Sequence, residues 1–165
     1  MPPLDRKLIH PPPATSLVAE GEPTVQPAPE RPGVLVADDD HLVRTLARLV
    51  LERDGFDVWL AANGREAIRL YRTYRNRIAV VLLDVHMPVL DGPATLDALR
   101  RLHPEVLVCL MSGDTGDYQP HELLRRGATR IFAKPFHIPQ LANHLRLLTQ
   151  GVPADLLPSV GGCQG

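Results

Sequence analysis

Cysteine is scarce: Cys109 lies inside an apolar run and Cys163 sits close to the C-terminus. Two such residues do not make a disulfide framework. No Cys/His set falls at zinc-ligand spacing either. This usage fits a reducing compartment, and a cytoplasmic location is expected. An excess of one charge sign is also lacking, since 18 basic and 19 acidic residues leave a formal net charge of −1. No global field therefore argues for nucleic acid or an anionic membrane as a partner. Arg72, Arg75 and Arg77 cluster without an aromatic platform, so they read as a solvated helix face. No run approaches the roughly 20 apolar residues of a membrane span, and the N-terminus lacks a signal-peptide apolar core. What is present is a chain of 165 residues, 44% hydrophobic, which suffices for one ordinary domain with a proper core.

Proline is concentrated at one end. Nine of the 17 prolines lie between Pro2 and Pro32, with no helical or strand period among them. Residues 1–32 read as a disordered or extended arm, because proline removes backbone donors and little there can be buried. A proline-rich ligand for a partner domain is the sharper alternative. Residues 150–165 read as a loose C-terminal tail in which Leu156 and Leu157 offer a docking point.

Between these ends, apolar runs alternate with amphipathic stretches. Strands are expected at 34–37, 57–61, 78–83, 106–111 and 130–133. Helices are expected at 40–53, after Asn63-Gly64, at 93–102, from Pro120 to Gly127 and at 137–149. The first helix carries Leu42, Val43, Leu46, Leu49 and Val50 at helical spacing, with Asp40 as its N-cap and Gly55 closing it. The strand runs are continuously apolar, which implies a parallel sheet covered on both faces. Right-handed crossovers then give an α/β fold with a doubly wound five-stranded sheet.

In such sheets ligands bind beyond the carboxyl ends of the strands. Asp38 and Asp39 follow the first strand, Asp84 the third, Ser112 the fourth and Lys134 the fifth. Taken singly, each has an ordinary reading as a helix cap, a turn former or a surface residue. Their joint placement is harder to dismiss. Two carboxylates about 4 Å apart repel by roughly 4 kcal/mol at an effective dielectric near 20. An acidic cluster of this kind must raise its pKa values or bind a cation. Mg²⁺ is the natural choice, since it takes one or two carboxylates together with waters and phosphate oxygens. Lys134 would add a second positive charge and Ser112 a hydroxyl donor. The set suits a phosphoryl group carried on a carboxylate, with Asp84 as the nucleophile. The scattered His10, His41, His103, His121, His137 and His144 read as helix-start or exposed residues, and Trp59 as strand packing.

The motifs Val36-Ala37-Asp38-Asp39-Asp40, Leu83-Asp84-Val85-His86-Met87-Pro88 with Asp91-Gly92, Met111-Ser112-Gly113 and Lys134-Pro135-Phe136 occur in one order along residues 33–149. In that order and spacing the segment resembles a response-regulator receiver domain of bacterial two-component signalling. The resemblance implies a flavodoxin-like (βα)5 fold with strand order 2-1-3-4-5. It implies that Asp84 accepts a phosphoryl group from a sensor histidine kinase or phosphotransfer protein. Asp38 and Asp39 would hold Mg²⁺ together with Asp84 and the backbone carbonyl of His86. Ser112 would act as the switch hydroxyl, and Lys134 would pair with a phosphoryl oxygen ahead of a cis Lys134-Pro135 bond. Such a domain catalyses only its own phosphorylation and dephosphorylation, and is otherwise not an enzyme.

The chain departs from the family pattern at several places. Ile131 stands three residues before Lys134, where relatives usually carry Tyr or Phe as a ring that reports activation. Gly113 replaces a common Ala, and His86 occupies a variable rim position. The expected product is a stand-alone receiver whose output is a contact with a downstream protein, with a homodimer as a further option. One alternative is a degenerate receiver that binds partners without phosphorylation, which Ile131 keeps open. The other is an aspartyl-phosphate phosphatase of the haloacid-dehalogenase kind. Those enzymes place a second Asp two residues after the nucleophile, and position 86 here is His.

Overall fold

The computed structural model describes residues 31–113 and 118–158. Most of the proline-rich arm, residues 159–165 and Cys163 lie outside them. Eleven elements follow in order: β1 (Gly33–Ala37), α1 (His41–Arg53), β2 (Asp57–Ala61), α2 (Gly64–Tyr74), β3 (Ile78–Asp84), α3 (Gly92–Leu102), β4 (Leu107–Ser112), α4 (Pro120–Arg125), β5 (Arg130–Ala133), α5 (Ile138–Thr149) and a 3-10 turn (Ala154–Leu156). The five strands form one sheet in the order β2-β1-β3-β4-β5, and every pairing is parallel. The doubly wound fold expected from the apolar runs is the one observed.

Alternate residues of each strand feed opposite layers, which is why the runs are apolar throughout. Leu35, Val81, Leu83, Val108 and Leu110 join Ala67 and Tyr71 of α2, Leu96 and Leu99 of α3 and Leu123 of α4. Val34, Val36, Val80, Leu82, Cys109, Met111 and Phe132 join Ala47 and Leu51 of α1 and Leu141, Ala142, Leu145 and Leu148 of α5. Cys109 is fully buried there, and burial pushes its thiol up to about 12, so it is an inert core side chain.

Local signals act where the sequence places them. Asp40, Asn63 and Asp91 cap α1, α2 and α3 through side-chain acceptance from Leu42, Glu66 and Ala94. Gly55 and Gly127 take positive φ of 91° and 101° just past α1 and α4.

Four expectations need correction. The apolar positions of α1 do not all face inward: Leu42, Leu46 and Leu49 are 74%, 51% and 61% exposed. The packed side is instead Ala47 and Leu51, with Val43 and Val50 at its margin. The tail is not loose through residue 158, because Leu157 is buried and Val152 and Ala154 pack on the α5 layer. Arg130 donates to the carbonyls of Ala154 and Pro158 at 2.8 and 2.7 Å, which holds the segment against β5. Leu156 stays exposed. His144 is buried, with its ring nitrogens 2.6 Å from the Gln140 carbonyl and 2.9 Å from that of Pro158. Arg77 is exposed but not on the helix: it lies beyond α2, in the turn before β3, where it pairs with Asp57 at 2.9 Å and stands 5.2 Å from the Trp59 ring centroid. Arg72 and Arg75 are exposed as expected. Among the described residues no helix is long and apolar enough to cross a membrane.

Candidate functional site

The carboxyl ends of β1, β3, β4 and β5 converge on one edge of the sheet. β3 runs one residue further than its apolar run suggests, because Asp84 pairs with Met111 of β4. The nucleophile candidate is therefore the last residue of a central strand. Asp38 follows β1 directly and donates its own N–H to the Ala61 carbonyl at 3.2 Å. The backbone thus fixes both acids before any side-chain contact is considered.

Asp38, Asp39 and Asp84 bring carboxylate oxygens within 4.8 Å of one another. Asp38 is 1% and Asp84 7% exposed, whereas Asp39 is open to solvent. Lys134, at the end of β5, reaches into the group. Its Nζ donates to Asp38 Oδ2 at 2.9 Å and to Asp84 Oδ1 at 2.8 Å. The Lys134-Pro135 bond that follows is cis, as expected. The remaining oxygens are held by backbone amides: Asp38 Oδ1 accepts from Asp40 at 2.9 Å, and Asp84 Oδ2 accepts from His86 at 3.2 Å.

One lysine does not neutralise three acids. Burial raises the pKa of Asp84, the charges of Asp38 and Asp39 add to the rise, and the Lys134 contact opposes it without cancelling it. Burial alone would lower the pKa of Lys134, but its bonds to Asp84 and Asp38 outweigh that and hold it above the ordinary value. The site is short of positive charge. Its donors are all oxygens, and a hard divalent cation is what such a set accommodates.

Ser112 ends β4, and its carbonyl accepts from the Lys134 N–H at 2.6 Å. Its side chain does something unusual. Ser112 is buried, yet its Oγ has no hydrogen-bond partner and is the one such side-chain atom among the described residues. A buried hydroxyl without a partner is destabilising and calls for a reason. Gly92, at the start of α3, closes the floor of the site, where a Cβ would lie 2.4 Å from the Asp84 carbonyl oxygen.

The structure therefore gathers Asp38, Asp39, Asp84 and Lys134 into one cluster and places Ser112 on its wall. His86 joins through its amide, and its ring is exposed at the rim. Ile131 is half-buried on the α4 side of the sheet. Sequence reasoning missed Arg44, which donates to the carbonyls of Asp38 and Asp39 at 2.7 and 3.0 Å and so steadies the acidic loop. Its position one turn into α1, behind the Asp40 cap, was the available signal. Tyr118 was also missed; its hydroxyl donates to Asp91 at 3.1 Å across 27 residues of chain. No local pattern announces that contact.

The family profile described as the response regulator receiver domain matches residues 34–146. The chain belongs to that family. This receiver is 36% identical over 117 residues to the transcriptional regulatory protein PrrA of Mycobacterium tuberculosis, a match covering 71% of this chain and 49% of that one. It is 32% identical over 132 residues to the sensor kinase CckA of Brucella abortus, covering 78% of this chain and 14% of the kinase. The chain thus spans about half the length of PrrA and a small part of CckA. Among solved structures, the receiver domain of the Francisella response regulator 1452 superposes with a TM-score of 0.67 at 32% identity, covering 73% of this chain and 98% of that one.

Proposed function

We propose that the chain is a phospho-acceptor of a two-component phosphorelay in which Asp84 takes a phosphoryl group from a histidine kinase or phosphotransfer protein. The observation that carries this reading is the convergence of Asp38, Asp39 and Lys134 on Asp84 at the end of β3. A carboxylate oxygen of Asp84 attacks phosphorus, the P–N bond to the donor imidazole breaks, and the imidazole leaves with the electron pair and takes up a proton. Lys134 offsets the charge of the transferring group. Asp38, Asp39, Asp84 and the His86 carbonyl would hold Mg²⁺, which supplies charge neutralisation when bound. Ser112 Oγ, buried and without a partner, gains an acceptor once a phosphoryl oxygen stands on Asp84.

The exposed leucine stripe of α1 starts directly after the acidic loop and suits the apolar flank of a helical donor. The output is a changed contact with a downstream protein, in the cytoplasm. The chain is read as acting on no external substrate. The phosphorylation-independent binding module finds its one support in Ile131.

The test is incubation with Mg²⁺ and a small acyl phosphate. Incorporation of one phosphoryl group by the wild type, lost in Asp84→Ala and in excess chelator, is expected. An unlabelled wild type would leave only the binding-module reading, and steady turnover of many phosphate esters would favour a phosphatase.

A further inference from the structure

The two buried acids of the site are held through their carboxylates. Asp38 accepts from the Asp40 N–H and from Lys134 at 2.9 Å each, and Asp84 accepts from Lys134 at 2.8 Å and from the His86 N–H at 3.2 Å. Asp39 is different. Its carboxylate is open to solvent and accepts no hydrogen bond from the described residues. What fixes Asp39 is its backbone, and Arg44 holds that backbone.

Arg44 stands one turn into α1 and is half-buried. Its Nη1 donates to the Asp38 carbonyl at 2.7 Å and to the Asp39 carbonyl at 3.0 Å. Its own N–H makes the first helical bond, to the Asp40 carbonyl at 3.1 Å. Three successive carbonyls thus converge on one residue. The peptide between Asp39 and Asp40 is pinned at both ends, its carbonyl by Arg44 and its N–H by the Asp38 carboxylate. Among the described residues Arg44 pairs with no carboxylate, so its hydrogen bonds orient the acidic loop without occupying any of its acids. A guanidinium suits the task, because it is always charged and carries its donors in a fixed plane.

We propose that Arg44 is a positioning residue for the Mg²⁺ site: by gathering these carbonyls it sets the place of Asp39, whose carboxylate no other described residue holds. The inference rests on the reading of Asp38, Asp39 and Asp84 as the metal's ligands. Mg²⁺ demands near-ideal octahedral geometry, so a ligand whose backbone drifts binds it poorly. Removing a group that orients a metal ligand typically weakens affinity by about 10- to 100-fold.

The sign of the effect separates positioning from charge. Arg44 is a cation beside an acidic cluster, and by Coulomb's law alone its removal makes the cluster attract Mg²⁺ more strongly. Lost positioning does the opposite. Full-length wild type, Arg44→Met and Arg44→Lys are titrated with Mg²⁺ alone by calorimetry, and their melting is followed in chelator. Arg44→Met keeps the aliphatic stem, loses the donors and is expected to bind Mg²⁺ about tenfold more weakly. Arg44→Lys keeps the charge and one ammonium donor, and should recover only part of that loss. Asp39→Ala combined with Arg44→Met should bind no more weakly than Asp39→Ala alone. Labelling by acetyl phosphate should slow at limiting Mg²⁺ and return to the wild-type rate at saturating Mg²⁺, because Asp84 and Lys134 keep their own contacts. A folded Arg44→Met with unchanged or tighter Mg²⁺ affinity would overturn the inference, as would full additivity with Asp39→Ala. Should Arg44→Met fail to fold, wild-type affinity in Arg44→Lys would overturn it equally. A folded wild type that binds no Mg²⁺ would overturn the metal site beneath it.

Discussion

Neutralising the proposed nucleophile should make this protein more stable, and the amount can be worked from the cluster. The carboxylate oxygens of Asp38, Asp39 and Asp84 lie within 4.8 Å of one another. At that outer limit each repulsion is about 3.5 kcal/mol at an effective dielectric near 20, so Asp84 meets about 7 kcal/mol from its two neighbours. Lys134, 2.8 Å away, returns about 6 kcal/mol by the same rule. The hydrogen bond from Lys134 adds to that return, and burial of the carboxylate, the largest single influence, decides the balance against the charged form. Asp84→Asn is therefore expected to gain about 1–2 kcal/mol at pH 7 in chelator, a few degrees in Tm.

The pH dependence has a definite sign. The folded-state pKa of Asp84 is raised, so the native state holds the proton more tightly than the unfolded chain. The penalty is absent where both states are protonated, and it develops as pH rises from about 4 through the folded pKa. The advantage of the variant should vanish on the acid side of that window and be complete at neutrality. Lys134, whose pKa is also raised, contributes stability that is fully present below its unfolded pKa and lost only as pH rises through the folded value. It does not distort the acid-side comparison. Mg²⁺ at about 100 times its Kd should stabilise the wild type by about 2.7 kcal/mol and erase the difference. Urea denaturation of both proteins in chelator and in Mg²⁺, at acid and neutral pH, makes the measurement. A less stable Asp84→Asn at pH 7 in chelator, or an advantage independent of pH, would refute the electrostatic argument.

Four other substitutions have equally definite outcomes. Ser112→Ala removes a buried hydroxyl without a partner and should raise the urea midpoint by the equivalent of about 1 kcal/mol, while labelling from an acyl phosphate slows. Val89 is a β-branched, exposed residue at φ 70° in the β3–α3 loop, so Val89→Gly should stabilise by about 1 kcal/mol in the same assay. Asp40→Ala, which deletes the α1 cap, should lose about 1 kcal/mol of stability with Mg²⁺ affinity by calorimetry nearly unchanged. Asp39→Ala should do the reverse.

The sheet was legible because a parallel strand buried on both faces writes a continuous apolar run, and signals such as the Asp40 cap and Asn63-Gly64 mark where helices begin. Asp84, Asp38 and Lys134 were legible for a related reason: each sits where an apolar run stops, and the topology brings those ends together. The misreadings share a cause. Leu42, Leu46 and Leu49 have the spacing of a buried face, but periodicity does not say which of two apolar stripes meets the sheet. The clamp on the tail depends on Arg130 and His144, which are distant in sequence from Ala154 and Pro158. Tyr118 and Asp91 meet across 27 residues, and neither residue carries a local pattern that would have paired them.

The central claim is that Asp84 carries the phosphoryl group, and reductive trapping tests it most directly. After incubation with Mg²⁺ and an acyl phosphate, borohydride converts an aspartyl phosphate to homoserine, which peptide mass spectrometry locates. The account predicts homoserine at position 84 and at no other aspartate, dependent on both Mg²⁺ and the phosphate donor. Trapping at Asp38 or Asp39, or none at all in a protein that is folded and binds Mg²⁺, would contradict it.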